Sequence, residues 1–571
     1  MIKRCQTIIC FVLAIVTLMQ AFIHASTPEY RIIKDRKWTI KDSPYLIEKD
    51  VIVEKGAKLI IEPGVVIKFK TSIGEAKNKF IINGDLIARG EENKRIVFTT
   101  DYQKPGVWGG IIFNKNEDKE ASRIEYCQIE FATCGIGCFS RSPEITNNVF
   151  YANELAIDCE DRASPRITKN KLLENGIFTS QTGGISVALY SNPEISDNNI
   201  EKTRGANIGV STFSNPRIAN NFLAYASGRG MTICSKASPI IVNNNFFRNG
   251  SNCGIIIYGA SPVIIGNKIH EQRALGIASI FNCTPVISNN YLTKNGIGLK
   301  SIYSSPAVTN NLFMENNLTE MEFWDNSTPS VNYNHIFLKE GIPAIRIGRL
   351  SNPINLQNNY WGTTDKQVIE KSFVNLAGNE SPAGKIDYSN FKNSEFNLSE
   401  FVQQNTGNQT SFLSPARKDV PWHIFEDKIL FCSFRDNNWE IYMTDPSGTL
   451  LKNLTNNPYH DVYPVFSPDG QKIVFSSKRT GNSDIYVLNL SNNSLTQVTD
   501  MSSNEEFPSW SPDGEKIAFR HPENLLEEYY HVIDATGKNK VCLEKTPDGY
   551  FNAVFVWVPT LDTKISLSKK D

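Results

Sequence analysis

The feature that most restricts how this chain can fold is a short phrase that recurs ten times between residues 142 and 360. Each copy opens with Ser, Thr or Asn followed by Pro, as in SPEITNNVF, NPEISDNNI and TPVISNNYL, and successive prolines are 21 to 28 residues apart. An apolar residue stands two positions after every proline except the tenth, where Asn355 breaks the rule, and another stands seven positions after. Units of about 23 residues with such short alternating runs cannot bury their own apolar face, so they must stack on one another.

Stacked units of this kind predict a parallel β-helix, in which short strands of successive coils pair at roughly 4.8 Å. The residue five positions after the proline is Asn in all ten phrases. Asn tolerates the left-handed backbone of a tight turn, and its amide can donate to one coil and accept from the next. Leucine-rich repeats share the period and are the alternative, but they need several Leu at fixed offsets. The predicted internal ladder comprises Asn148, Asn170, Asn198, Asn221, Asn244, Asn267, Asn290, Asn311, Asn334 and Asn358.

The segment before the repeats continues the alternation of apolar and polar residues and predicts irregular first coils. Its phrases LIIEPGVVIKF, INGDLIARG, IVFTT and WGGIIF, together with the Asn-bearing coils, resemble right-handed parallel β-helix proteins of the pectate-lyase-like superfamily over about residues 45 to 395. The resemblance implies the fold for a domain at 26–395. It implies little about activity, because this superfamily includes lyases, hydrolases, epimerases, adhesins and non-catalytic surface proteins.

A second repeat, with a period of about 44 residues, occupies 419–571 after a polar linker at 396–418. Its second and third units carry FSPDG and WSPDG, in which Pro-Asp-Gly is typical of a tight turn between strands. These phrases, followed in the second unit by Asp484-Ile485-Tyr486, resemble the TolB-type β-propeller repeat. About three blades are present, with Trp557 echoing a fourth, whereas a closed propeller needs 4 to 8. We therefore expect an all-β chain, a β-helix followed by a partial propeller.

The first 25 residues have the three parts of a secretory signal peptide. Lys3 and Arg4 precede an apolar stretch from Ile8 to Met19, and small residues lead to a cleavage site near Ala25. An uncleaved anchor is the alternative, although the apolar run is shorter than the roughly 20 residues of a membrane span. We expect the mature protein to be extracytoplasmic, in the periplasm or at the surface, with no other transmembrane span.

Charge and cysteine content exclude several kinds of partner. Lys and Arg total 59 against 60 Asp and Glu, a net charge of -1, which gives no electrostatic attraction to nucleic acid. Removing two of the 11 cysteines with the signal peptide leaves nine, and no paired Cys-x-x-Cys motif is present. The sequence thus predicts no metal site and no cofactor, with most cysteines acting as small apolar fillers and a few disulfides left open.

A catalytic β-helix would need charged groups aligned across neighbouring coils. Asp158 and Glu160 have no charged partners at matching offsets in the next two coils, where Ala188 and Ser211 stand. The other catalytic candidates are His270, Glu271 and Arg273, because a His beside a carboxylate can act as a general base and Arg can bind an acidic sugar. The catalytic phrases of polygalacturonases, pectin esterases and alginate epimerases are absent, so this resemblance does not extend to activity.

Aromatic residues recur shortly before successive prolines and are candidates for stacking on sugar rings. The alternative is that they pack inward or against one another. These candidate binding residues are Tyr190, Phe213, Tyr258, Phe281 and Tyr303.

The function predicted from these patterns is that of an exported, non-enzymatic binding protein. Its β-helix would present a surface to a polysaccharide or cell-envelope glycan, and its propeller repeats would contact an envelope protein. Two alternatives remain open: a β-helical polysaccharide lyase or glycoside hydrolase, and a structural envelope-assembly protein.

Overall fold

The computed structural model describes two parts of the chain, which form two compact units divided at residues 416 and 417. The predicted signal peptide, the linker and the fourth-blade echo at Trp557 lie outside the described residues. The described residues are 30–70, 77–115, 122–177, 182–250, 253–325, 327–350, 352–376, 386–394, 424–425, 428–433, 438–444, 452–502, 504–511, 513–524 and 527–545.

The N-terminal unit is a parallel β-solenoid whose coils contribute strands to three long sheets, two of 15 strands and one of 13. Sheet 1 comprises the strands Arg31–Ile32, Val51–Val53, Lys79–Ile82, Trp108–Phe113, Ala132–Phe139, Leu155–Glu160, Thr182–Val187, Ala206–Val210, Met231–Cys234, Cys253–Tyr258, Leu275–Ile280, Ile297–Ile302, Thr319–Trp324, Ile345–Ile347 and Phe373–Asn375. Sheet 2 comprises Arg36–Trp38, Lys58–Ile61, Asp85–Arg89, Arg123–Glu125, Glu144–Thr146, Arg166–Thr168, Glu194–Ser196, Arg217–Ala219, Ile240–Val242, Val263–Ile265, Val286–Ser288, Ala307–Thr309, Ser330–Asn332, Ile354–Asn355 and Ile386–Asp387. Sheet 3 comprises Tyr45–Ile47, Val66–Phe69, Ile96–Thr100, Cys127–Glu130, Val149–Tyr151, Lys171–Leu173, Asn199–Glu201, Phe222–Ala224, Asn245–Phe247, Lys268–His270, Tyr291–Thr293, Leu312–Met314 and His335–Ile336.

The repeat phrase sets the geometry of each coil. The three residues after the proline form the strand of sheet 2, and a residue with positive φ such as Asn147 (φ 58°) turns the chain toward sheet 3. The inward positions two and seven after the proline, such as Ile145 and Phe150, are fully buried, as is the isoleucine column of sheet 1. Each coil thereby completes the core of its neighbours.

Buried side chains also confirm that the predicted first coils continue this core. The predicted alternating apolar residues there are exposed by 2% or less: Leu59, Ile61, Val65, Ile67, Phe69, Ile82, Leu86, Ile96, Phe98, Ile111 and Phe113.

An asparagine ladder runs along the turn between sheets 2 and 3. Asn244 is typical: its Nδ2 donates to Asn267 Oδ1 at 3.0 Å and to the Ile218 carbonyl at 2.9 Å, while its backbone N–H donates to Asn267 Oδ1 at 2.8 Å. The same pattern links Asn148 through Asn334, nine of the ten predicted members. Each amide therefore satisfies turn groups that would otherwise be buried without a partner.

The tenth member of the ladder is Asn359, and the prediction of Asn358 was wrong. Asn334 donates to Asn359 Oδ1 at 3.0 Å, whereas Asn358 has a φ of 59° and occupies the preceding turn position. The physical reason is one extra residue in this coil, since Leu356 is also fully buried. The inward aromatic residue is accordingly Trp361, which is fully buried.

A short helix, Lys366–Lys371, follows the last laddered coil. Asp365 caps it by accepting a hydrogen bond from Gln367 N at 2.8 Å. Its Ile369 is fully buried and belongs to the core of the solenoid. Among the described residues, no helix combines the length and the apolar character that a membrane crossing requires.

The C-terminal unit contains three four-stranded antiparallel sheets in its described residues. The strands are Ile424–Phe425, Lys428–Ser433, Glu440–Thr444 and Lys452–Asn453; then Asp461–Phe466, Lys472–Ser477, Asp484–Asn489 and Leu495–Gln497; then Glu506–Trp510, Lys516–Asn524, Glu527–Asp534 and Val541–Lys545. The predicted FSPDG turn joins two strands: Ser467 Oγ donates to Asp469 Oδ1 at 2.6 Å, and Gly470 has a φ of 66°. The buried faces of the sheets form two apolar clusters around Phe475 and Phe519.

Candidate functional site

A second amide ladder, which the sequence analysis missed, shapes the turn between sheets 3 and 1. Asn295 is typical: its backbone N–H donates to Asn316 Oδ1 at 2.8 Å, and its Nδ2 donates to the Ile269 carbonyl at 2.9 Å. The sequence does contain a pattern for this ladder, since its members stand ten positions after the repeat proline. They are Asn153, Asn175, Asn249, Gln272, Asn295 and Asn316.

Small residues of sheet 1 make room for this ladder. A Cβ at Gly298 would lie 2.6 Å from the Glu320 carbonyl oxygen and 3.0 Å from Asn316 Nδ2. Where the tenth position is Ala226 instead of an amide, Asn207 on sheet 1 reaches over, and its Nδ2 donates to Asn249 Oδ1 at 3.0 Å. The glycine that usually precedes the apolar pair of sheet 1 is thus explained by close packing, not by flexibility.

Glu320 ends the second ladder where the repeat offers Lys339 instead of an amide. Its carboxylate accepts from the Asn316 backbone N–H at 3.3 Å and also from the Asn316 side-chain amide. Glu320 is 2% exposed, and burial raises the pKa of its carboxyl to about 7, against the hydrogen bonds from Asn316 that lower it.

We expect Glu320→Gln to remove a pH dependence of stability. Between pH 4.5 and about 7 the folded chain holds the Glu320 proton and the unfolded chain loses it, so the stability of the wild type falls as pH rises through this window and then levels off. The shift in the Glu320 pKa corresponds to about 3 kcal/mol in the free energy of unfolding. Urea unfolding measures this free energy at pH 5 and at pH 8, and the difference between the two values should be smaller by about that amount in the variant than in the wild type. The control is Glu315→Gln, at an exposed position. An equal loss of pH dependence in this control would contradict the assignment of the effect to Glu320.

An open groove of about 1280 Å³ follows this turn. It crosses six successive coils, from Ser227 to Lys339, which is about 24 Å at roughly 4.8 Å per coil. This turn groove is long enough for an extended chain. The charged residues that line it are Arg248, Glu271, Arg273, Lys294, Glu315 and Lys339.

Cations outnumber carboxylates in the turn groove by four to two. Arg248 Nη2 lies 2.8 Å from Glu271 Oε2, and its hydrogen bond lowers the pKa of that carboxyl. Lys294 Nζ lies 3.7 Å from Glu315 Oε2. Within the described residues, neither Arg273 nor Lys339 has a carboxylate within 4.0 Å, so both can meet a bound anion.

Two residues of the predicted trio line the turn groove, and the third does not. Glu271 and exposed Arg273 line the turn groove, but His270 faces outward from sheet 3, where its Nε2 lies 2.9 Å from Asn245 Oδ1 and its ring packs 4.9 Å from that of Phe247. His270 Nδ1 is 3.8 Å from Glu271 Oε1, and burial lowers its pKa. His270 thus contacts Glu271 but does not itself line the groove that Glu271 and Arg273 share.

A charged row does cross three coils on the outer face of sheet 1, and the sequence analysis missed it. Lys300, Glu322 and Arg346 are in register. Glu322 is fully buried, with Lys300 Nζ 2.8 Å from its Oε1 and Arg346 Nη1 3.3 Å from its Oε2. The Trp324 indole N–H donates to Glu322 Oε1 at 2.7 Å, which fixes the aromatic ring beside the row. We call these residues the sheet 1 charged row.

Asp158 and Glu160 lie on the same outer face, several coils away, and both are buried. The register partner of Asp158 on the next strand is Ser186, and the Ala188 N–H, one residue beyond that strand, donates to the Cys159 carbonyl, so the next strand places no carboxylate beside Asp158.

The five aromatic candidates do not form one continuous stripe. Tyr190 stacks on Phe213 with centroids 5.3 Å apart, and Arg162 and Lys236 lie over the outer faces of this pair. Phe281 and Tyr303 stack at 6.1 Å, whereas Tyr258 is in register with Ile280, one residue earlier, and burial raises its pKa to about 12. Four of the five rings thus stack in two pairs between neighbouring coils.

The described residues contain no group of three or more His, Cys, Asp or Glu side chains arranged to hold a metal ion.

Comparisons with known proteins agree with this architecture. Residues 32–132 match the pectate-lyase-like β-helix domain, residues 109–268 match the right-handed β-helix region, and residues 366–545 match the TolB β-propeller domain. The chain carries a right-handed pectate-lyase-like β-helix and TolB-type repeats. The comparison with curated proteins found no match.

Solved structures with related parts include a TolB homologue from Agrobacterium tumefaciens, at 28% identity over 23% of this chain and 51% of that chain, with a TM-score of 0.21. A mutant of the periplasmic alginate epimerase AlgG has 13% identity over 56% of this chain and 85% of that chain, with a TM-score of 0.28. Tailspike protein 2 of an Escherichia coli O157:H7 bacteriophage has 9% identity over 86% and 65%, with a TM-score of 0.26. This chain thus spans about half the length of the TolB homologue, and scores this low carry no argument about activity.

Proposed function

We propose that the protein is an exported, non-enzymatic binding protein that holds an acidic polysaccharide in the turn groove. The supporting observation is the groove itself: it extends about 24 Å along the coils, and its four cations face two carboxylates that are already paired. Such a surface favours a long, flexible anion over a compact one, because the charges are spread over several coils.

The outer face of sheet 1, which does not line the turn groove, offers a second surface for a sugar ring. Trp324 offers a partly exposed aromatic face, held by Glu322 and next to Lys300. A partly exposed aromatic face of this kind suits stacking on the apolar face of a sugar ring.

The location of the polysaccharide site in the turn groove can be tested with variants that remove charges. We expect the double variant R273Q/K339Q to bind polygalacturonate or alginate oligosaccharides about tenfold more weakly, since two solvent-exposed charges contribute about 1 kcal/mol or somewhat more together. Calorimetric titration at low salt would measure this. The matched control is Arg217→Gln, an exposed arginine on sheet 2, which should leave the Kd unchanged. Equal binding by R273Q/K339Q and the wild type would reject the turn groove as the site.

For the C-terminal unit, we infer that the three four-stranded sheets are blades of a TolB-type propeller that contacts an envelope protein. The match to the TolB β-propeller domain supports the blade assignment. The signal-like N terminus supports an extracytoplasmic location, in the periplasm or at the surface.

A further inference from the structure

Two cysteines meet in the core between the first laddered coils. Cys138 lies on the strand Ala132–Phe139 and Cys159 on Leu155–Glu160, and the two are register partners in sheet 1. Neither side chain is exposed, and both belong to the apolar core cluster. In the structure both are thiols, and they share a hydrogen bond.

The register places the two Cα atoms at a separation that a disulfide can span. Register partners on adjacent parallel strands have Cα atoms about 4.8 Å apart, within the range of about 4.4 to 6.8 Å that disulfides span. Both side chains point to the same face, because residues paired in register lie on the same side of a sheet. Cys134 provides the contrast, since its register partner is Leu155.

We propose that Cys138 and Cys159 form a disulfide that joins adjacent coils when the chain folds in the presence of a disulfide oxidant. Each thiol loses its proton, one S–S bond forms with the loss of two electrons, and the disulfide of the oxidant takes up two electrons and two protons to become two thiols. The oxidant belongs to the class of glutathione disulfide or a thiol–disulfide oxidoreductase. An oxidising extracytoplasmic compartment supplies such oxidants.

The bond closes while the coils assemble. In the finished fold, burial raises the pKa of the Cys159 thiol, so the reactive thiolate is scarce and no oxidant can reach it. The link then holds the first laddered coils to each other at the junction with the irregular N-terminal coils.

The test is refolding of the full chain from denaturant in a glutathione redox buffer, followed by alkylation in fresh denaturant and peptide mapping. We expect the peptides of Cys138 and Cys159 to be linked in the folded fraction, lighter by two hydrogens than the free pair, with the link retained in C134S and lost in C138S. Reduction should lower the Tm of the wild type but not that of C138S/C159S.

Recovery of both cysteines as alkylated, unlinked peptides from the folded fraction, after its alkylation in denaturant, would overturn the proposal, as would a link from Cys138 to Cys134. The mapping uses the wild type, so the result stands even if C138S folds poorly. Because the oxidant is added, the test does not depend on export or on polysaccharide binding.

Discussion

The substitution Asn244→Asp should destabilise the protein by about 4 kcal/mol. The Asn244 Nδ2 is surrounded by three oxygens, those of Ile218, Val242 and Asn267, at 2.9 to 3.1 Å. Asp has the same shape but replaces the donor with an acceptor, so a buried carboxylate would face carbonyl oxygens without a donor. Urea unfolding at pH 7, with the m-value checked for two-state behaviour, would measure the loss.

The neighbouring position supplies a matched control. Asn243 is exposed, has a φ of 55° and stands outside the ladder. Since Asn and Asp both tolerate the left-handed region, Asn243→Asp should change the free energy of unfolding by less than about 0.5 kcal/mol. Similar losses for the two variants would show that the ladder amide is not a stabilising element.

Glu322→Gln should cost about 3 to 5 kcal/mol, because it leaves Lys300 and Arg346 as largely covered cations without a carboxylate. The Lys300 side chain is 11% exposed and that of Arg346 is 19% exposed, so solvent can replace little of the lost interaction. Thermal and urea unfolding would both register the change. Glu315→Gln, which breaks an exposed pair, should cost less than about 1 kcal/mol.

A variant that also lacks the two cations distinguishes the effect of uncompensated charge from the effect of packing. In the triple variant K300M/E322Q/R346M no uncompensated charge remains, so most of the lost stability should return. A triple variant as unstable as Glu322→Gln would mean that packing around Glu322, not its charge, holds this face of sheet 1.

Much of the fold could be read from the sequence because the solenoid repeats its constraints. The Pro-to-Asn offset of five predicted the first ladder, since every coil needs the same donors and acceptors at the same turn. The tenth coil misled the prediction because its extra residue falls beside the doublet Asn358-Asn359, and either residue satisfies the pattern.

The candidate site was harder to predict. The second ladder is interrupted at Thr203 and Ala226, where Asn207 on another strand fills the gap. The sheet 1 charged row shifts by one residue relative to the proline in the coil of Lys300, so equal offsets do not align it. His270 and Glu271 are adjacent in sequence, yet the turn that follows His270 sends Glu271 to the groove. Such changes of direction depend on backbone geometry that a linear pattern does not contain.

The proposed function requires that the turn groove bind an acidic glycan and leave it intact. The most direct measurement incubates the purified chain, from about Ser26 onward, with a panel of acidic and neutral polysaccharides, and follows binding, new reducing ends and new unsaturated ends in the same samples. We expect salt-sensitive binding of the acidic members with no new ends. New chain ends that rise with time and with protein concentration would contradict it, and so would equal affinity for neutral and acidic chains.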